Sequence, residues 1–181
     1  MREMLTEFSC IVRGQAEVPR ICNLYDLIKA AYDTAGIAET NLEVRLHVPS
    51  RIEIPAVRNR IQRVFLNLML NAREAMPAGG ELRFTARELA NYVLIEVEDN
   101  GPGIPDAVLS RLFEQCVTAG KQGGLGLGLM LARQTIRDHG GELWAEPAAG
   151  ARFLISLPMK RQLAEVPKRN LVPISRYSNC G

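Results

Sequence analysis

Long apolar runs are missing from this sequence. None approaches the ~20 residues that cross a bilayer, and the N-terminus has no apolar stretch of the signal-peptide kind. Cysteine is sparse. Cys10, Cys22, Cys116 and Cys180 are scattered without C-x-x-C spacing, which speaks against a zinc site or a redox motif. Such usage fits a reducing, cytoplasmic setting. Charge of one sign is not in excess either. The net charge of +2 is lower than a nucleic-acid binder usually carries. Histidine occurs only twice, at 47 and 139, and repeats and low-complexity segments are absent. What remains is 181 residues, 47% of them hydrophobic, enough for one packed domain with short extensions.

Helical and extended patterns alternate along the chain. Leu5, Phe8 and Val12 stand at helical spacing in Met1–Val12. Asn23 suits the N-cap of a second helix over Leu24–Tyr32, with Gly36 just past its end. Leu42–Val48 alternates as a half-buried strand, with His47 on its polar side. A short extended piece follows around Ile52–Ile54, between Pro49 and Pro55. A long helix is expected over about Ala56–Met76, its apolar face made by Ile61, Val64, Phe65, Leu68, Met69 and Ala72. Glu81–Arg87 and Tyr92–Glu98 predict an antiparallel hairpin. A short helix should run from Pro105 to about Phe113, and a mobile loop over Glu114–Gly123. Leu127–His139 is helical and ends at Gly140-Gly141. Glu142–Ala145 and Arg152–Leu157 complete the sheet, and Met159–Gly181 reads as a basic, disordered tail.

Three features suggest chemistry. Asn67 and Asn71, four residues apart, stack on one side of the long helix, although asparagine is a mediocre helix former. Either they are solvated or bonded within the core, or their amide oxygens face a phosphate-bound metal. Asp99-Asn100-Gly101-Pro102-Gly103-Ile104 closes a strand. An ionised carboxylate there accepts hydrogen bonds only, so it can take one from the exocyclic amine of adenine, a charged bond worth roughly 1.5–3 kcal/mol. Gly101 and Gly103 would let backbone close on a flat base, and Ile104 would cover its face; a plain Asn-Gly turn gives the same letters. Gly124, Gly126 and Gly128 lead into a helix, where amides and the dipole favour phosphate oxygens. They match neither a P-loop nor a dinucleotide fingerprint.

The combination is more specific than its parts. Asn67-Leu68-Met69-Leu70-Asn71-Ala72, then Asp99-x-Gly-x-Gly, Arg111-Leu112-Phe113-Glu114, the cluster from Gly124 to Leu129, and His139-Gly140-Gly141 follow in order. This order resembles the catalytic ATP-binding domain of sensor histidine kinases, in the GHKL superfamily, especially the nitrogen-regulation and sporulation type. The resemblance covers about Leu42 to Pro158.

The resemblance implies an α+β, Bergerat-type fold: a two-layer sandwich with a mixed sheet and helices on one face. It implies ATP and Mg²⁺ as cofactors. Asn71 would bind the metal with help from Asn67, and these two are the catalytic candidates. Asp99 would bind adenine, with Gly101, Gly103 and Ile104. Phe113 would anchor a lid whose Thr118 and Lys121 reach the phosphates, and Gly124, Gly126, Leu127 and Gly128 would wrap them.

Two departures stand out: Gly150-Ala151 replaces the usual Gly-Thr, and the lid reads Glu114-Gln115-Cys116-Val117-Thr118 where aromatic residues are common. Neither histidine has the context of a phosphoacceptor. The implied organisation is residues 1–35 as a remnant of a helical phosphotransfer region, 36–158 as the catalytic domain, and 159–181 as the tail. The implied partners are a phosphoacceptor histidine domain and a response regulator, with no nucleic acid and no membrane segment, in a monomer or weak homodimer. The implied activity is histidine phosphorylation. The alternatives are a slow ATPase of the same superfamily and a non-catalytic adaptor binding a response regulator.

Overall fold

The computed structural model describes residues 18–114 and 127–159. The helix expected at Met1–Val12, the loop after Glu114 and the tail after Met159 lie outside them. The chain runs β1 (Arg20–Asn23), α1 (Leu24–Ala35), β2 (Leu42–His47), β3 (Glu53–Ala56), α2 (Arg58–Ala75), β4 (Gly80–Leu89) and β5 (Tyr92–Asp99). It continues with α3 (Asp106–Leu109), α4 (Leu127–Asp138), β6 (Glu142–Glu146) and β7 (Arg152–Pro158). Five strands form a mixed sheet in the order β2-β4-β5-β7-β6, with β2 and β4 parallel and the other neighbours antiparallel. The fold is α+β in two layers, as the resemblance implied.

Alternation along the strands decides which face the helices cover. Leu82, Phe84 and Ala86 of β4, Val93, Ile95 and Val97 of β5, and Phe153, Ile155 and Leu157 of β7 are buried in one cluster with the apolar faces of α1, α2 and α4. From α2 come Ile61, Val64, Phe65, Leu68, Met69 and Ala72, the face read from the sequence. Phe65 meets Phe84 edge to face, ring centroids 6.2 Å apart, a contact worth about 0.5–1.5 kcal/mol beyond its buried area. On the outward side of the sheet Arg152 reaches Glu96, Glu98 and Glu146.

Several expectations are corrected. Strand β1 was not anticipated. Its four residues are too few to display alternation, and they become a strand by pairing with β3 through Arg20–Ala56, Ile21–Pro55, Cys22–Ile54 and Asn23–Glu53. Helix α2 starts at Arg58 because Ala56 is taken by that pairing. Helix α1 extends to Ala35, capped by Asn23, whose Oδ1 accepts from the Asp26 amide at 3.2 Å, and closed by Gly36 at φ +63°. The helix expected from Pro105 to Phe113 stops at Leu109 and continues as turns. It buries no residue, so nothing tertiary offsets the cost of so short a helix. Finally, Leu24, Leu27, Ile28 and Ala31 of α1 belong to the same core as the sheet. The boundary expected between residues 35 and 36 therefore falls inside the packed unit.

Candidate functional site

Asp99 ends β5 next to the start of β7, and backbone on both sides holds it. Its amide donates to the Ala151 carbonyl at 3.0 Å. Its Oδ1 accepts from the amides of Gly101 and Ala151, each at 3.0 Å. Among the described residues no hydrogen bond falls on Oδ2, so one oxygen orients the carboxylate and the other is left to accept from a ligand. Ala151 brings no hydroxyl to this site; what it contributes is its backbone, amide and carbonyl both bonded to Asp99. The sequence reading named Gly150 as part of a motif but not the reason it must be glycine. A Cβ on it would lie 1.8 Å from the Asp99 carbonyl oxygen, so β7 approaches Asp99 this closely only with glycine there.

The loop after Asp99 is pinned at each end. The Asn100 side chain accepts from the Glu81 amide at 2.8 Å, and the Asn100 amide donates to the Glu81 carbonyl at 3.2 Å. Gly103 has φ +78°, the left-handed region where glycine is favoured, and its missing Cβ would stand 3.2 Å from the Ala149 carbonyl. Met76, at the end of α2, fills the space beside Gly101 and was not singled out from sequence. Ile104 is half-buried against the core.

A second group is set by the contact of α2 with α4. The Asn67 side-chain amide donates to the Gly128 carbonyl at 3.2 Å, which ties the asparagine helix to the first turn of α4. With its Nδ2 so engaged, Asn67 keeps its Oδ1 as an acceptor. Asn71 is half-buried one turn further along α2. Leu127 and Gly128 open α4 and are half-buried. A Cβ on Gly128 would sit at an ordinary 3.7 Å from Asn67, so no atom of the described residues demands glycine there.

Phe113 packs on the core with the Arg133 guanidinium 4.9 Å from its ring centroid, and Arg133 is held in turn by Glu142 at 2.6 Å. Arg137 bonds the same carboxylate, and these guanidinium bonds, Arg137 first, hold the Glu142 carboxyl below its ordinary range. Thr118, Lys121, Gly124 and Gly126 lie outside the described residues.

The residues present suit a magnesium–nucleotide pair. Among the described residues no three His, Cys, Asp or Glu side chains gather as a metal site. Two neutral amide oxygens on α2 fit Mg²⁺ all the same, because that ion takes few protein ligands and shares the rest with phosphates and water. Met76, five residues beyond Asn71 at the C-terminal end of the same helix, lies beside Gly101, which also adjoins the half-satisfied Asp99 carboxylate.

The two histidines are accounted for differently. His139 holds both ring nitrogens in bonds: Nδ1 to the Thr135 carbonyl at 2.7 Å, and Nε2 accepting from the Val57 amide at 3.0 Å. His47 is exposed on the edge strand β2, on the outward side.

Comparison with known proteins agrees with this architecture. The chain is 39% identical over 144 residues to the alginate biosynthesis sensor protein KinB of Pseudomonas aeruginosa, covering 76% of this chain and 24% of KinB. It is 36% identical to the sensory histidine kinase/phosphatase NtrB of Salmonella typhimurium, covering 87% of this chain and 53% of NtrB. The chain thus spans about a quarter to a half of the length of these relatives. Among solved structures, the catalytic domain of histidine kinase ThkA superposes with a TM-score of 0.70 at 30% identity, over 78% of this chain and 95% of that domain. ThkA in complex with its response regulator TrrA gives 0.70 at 27% identity, over 87% and 48%. The model of histidine kinase-, DNA gyrase B- and HSP90-like ATPases matches residues 56–161 of the 181, and the chain belongs to that family.

Proposed function

We propose that this chain binds Mg-ATP and supplies the catalytic half of a histidine protein kinase, with the acceptor histidine on another domain. One observation carries the reading: the Asp99 carboxylate is fixed through one oxygen by two backbone amides while the other stays an acceptor. Such a group selects adenine by its exocyclic amine and disfavours guanine, which places a carbonyl there. Asp99 is the adenine contact, with Gly101, Gly103 and Ile104 around the base. Asn71 and Asn67 are the metal-facing residues. Leu127 and Gly128, with Gly124 and Gly126 before them, line the phosphate path; Phe113 anchors the lid bearing Thr118 and Lys121.

When bound, Mg²⁺ would neutralise charge on the phosphates, and phosphoryl transfer asks little else of the protein than positioning. This chain's residues do the positioning: Asp99 orients the base, and the Asn67–Gly128 bond keeps α2 and α4 in register. The histidines support an acceptor elsewhere. His139 has both ring nitrogens committed. His47 lies three residues, roughly 10 Å, further along the sheet than the position level with Asp99, on the side away from the helices. A response regulator would receive the phosphoryl group next, as the ThkA–TrrA pair suggests for the relatives. Likeness to both KinB and NtrB is compatible with the nitrogen-regulation type and with other sensor kinases.

Calorimetry with Mg-ATP on the native chain and on Asp99→Asn tests this. The native chain should bind, and the variant should lose roughly ten- to a hundredfold in affinity, the worth of one charged hydrogen bond of about 1.5–3 kcal/mol. Phosphorylation of a separate histidine hairpin domain by the native chain, and not by Asn71→Ala, tests the kinase step. Absence of nucleotide binding by the native chain would sink the proposal and leave the adaptor reading; steady hydrolysis without an acceptor would favour the ATPase.

A further inference from the structure

We propose that Asn100 is a positioning residue for adenine selection: its side chain closes the β4–β5 ladder in place of backbone and so turns the chain to bring the Gly101 amide onto Asp99. This deepens the nucleotide reading and rests on it.

The ladder between β4 and β5 has Leu82–Asp99 as its last pair, and one step beyond it Glu81 and Asn100 stand opposite each other. In a regular hydrogen-bonded rung of an antiparallel pair, both residues use backbone amide and backbone carbonyl. Here one bond is regular: the Asn100 amide donates to the Glu81 carbonyl at 3.2 Å. The return bond is not. The Glu81 amide donates to the side-chain Oδ1 of Asn100, at 2.8 Å. A short carboxamide can imitate a backbone carbonyl in this way. The rung is closed through the side chain, so the backbone can leave the strand at this residue. It does so at once. The Gly101 amide, two residues after Asp99, turns back to donate to the Asp99 Oδ1 at 3.0 Å, the bond of an Asx turn. The first side-chain bond thus sets the peptide that makes the second.

Packing around the turn points the same way. A Cβ on Gly80 would lie 2.7 Å from the Asn100 Oδ1 and 2.5 Å from the Met76 sulfur, so bare backbone at Gly80 gives both side chains their place. A Cβ on Gly101 would lie 2.9 Å from the Met76 Cγ, which seats the turn against the end of α2. Asn100 itself is exposed, so it fills no core; what it controls is the direction of the peptide after it. The second donor to Asp99 Oδ1, the Ala151 amide, comes from β7 and does not pass through Asn100. Loss of the Asn100 side chain should therefore loosen the carboxylate on one side and aim its second oxygen less sharply. Adenine, whose amine donates to that oxygen, loses by this; guanine, with a carbonyl in the same place, does not.

Calorimetry with Mg-ATP, and with Mg-GTP by displacement, compares the native full chain with Asn100→Ala and Asn100→Asp. Asn100→Ala should lose roughly three- to tenfold in ATP affinity, the worth of one neutral hydrogen bond, and nothing for GTP, so the ATP/GTP ratio falls by the same factor. Asn100→Asp keeps an oxygen for the Glu81 amide and should hold the native ratio. Gly80→Ala, whose methyl displaces the Asn100 oxygen, should repeat the Asn100→Ala pattern and decides the matter if that variant does not fold. Amide hydrogen exchange without nucleotide gives a separate readout: in Asn100→Ala the Gly101 amide should exchange faster while the Ala151 amide keeps its rate. An equal loss for both nucleotides would reduce Asn100 to a purely structural part and overturn the inference, as would unchanged Gly101 exchange. A native chain that prefers ATP, with the same ratio in Asn100→Ala, would overturn this inference alone. A native chain that binds neither nucleotide would sink the nucleotide reading and this inference with it.

Discussion

Gly128 and Gly150 are the same residue type for different reasons, and substitution separates them. A methyl on Gly150 runs into the Asp99 carbonyl oxygen, so Gly150→Ala must push β7 away from Asp99. It should cost about 1–3 kcal/mol, the usual range for overpacking, together with most nucleotide affinity. Gly128→Ala meets only ordinary contacts among the described residues and adds a better helix former. Its melting temperature should hold or rise slightly while Mg-ATP binding falls, as the proposed place of Gly128 on the phosphate path requires. Parallel melting curves and calorimetry check the pair; a Gly128→Ala chain that binds ATP as the native one does would remove Gly128 from the phosphate path. The letters Asp-x-Gly-x-Gly were readable in sequence. The need for Gly150 was not, since it arises from a residue 51 positions earlier in the chain.

Helix α4 is latched at its far end to two neighbours. Arg60 of α2 pairs with Asp138, and Val57 donates to His139; Arg133 and Arg137 hold Glu142 of β6. His139→Ala would leave the Val57 amide without its acceptor, a loss of about 1–3 kcal/mol by denaturant melting. Full stability in that variant would show that water replaces the ring. The two carboxylates carry a pH signature. Asp138 is held below its ordinary range by the Arg60 bond, and Glu142 by Arg137 and then Arg133. A folded pKa below the unfolded one means stability that is complete above the ordinary carboxylate range and is lost as pH falls through the lowered folded values. Both side chains are more than a third exposed, so each contributes under about 1 kcal/mol and less in high salt. Urea melts of the native chain and of a D138N/E142Q double variant should therefore converge as the pH falls below 4, and a constant gap down to acid pH would contradict the assignment.

At the scale of the molecule, α1 matters most for where the unit begins. Leu24, Leu27 and Ile28 are fully buried, at about 1.5–3 kcal/mol each, so together they approach the 5–15 kcal/mol that usually separates folded from unfolded domains. A chain starting at Gly36 should lack a cooperative unfolding transition, whereas one starting at Val18 should keep it; a cooperative melt from Gly36 onward would restore the boundary expected from sequence. The helix itself was legible, from its cap at Asn23 and its apolar spacing. Its membership was not, because an amphipathic helix states that it packs without stating on what.

The sequence by itself determined the local and periodic features: the face of α2, the hairpin of β4 and β5, the order of the asparagine and glycine motifs, and through them the family. These depend on spacing along one segment, which the residues record directly. Tertiary structure alone decided that β1 is a strand, that α3 ends after one turn, that the Ala151 amide and Gly150 complete the Asp99 pocket, and that Asn67 meets Gly128. Each of these joins segments far apart in the chain. Their energy lies in a contact between surfaces, and neither sequence segment names its partner.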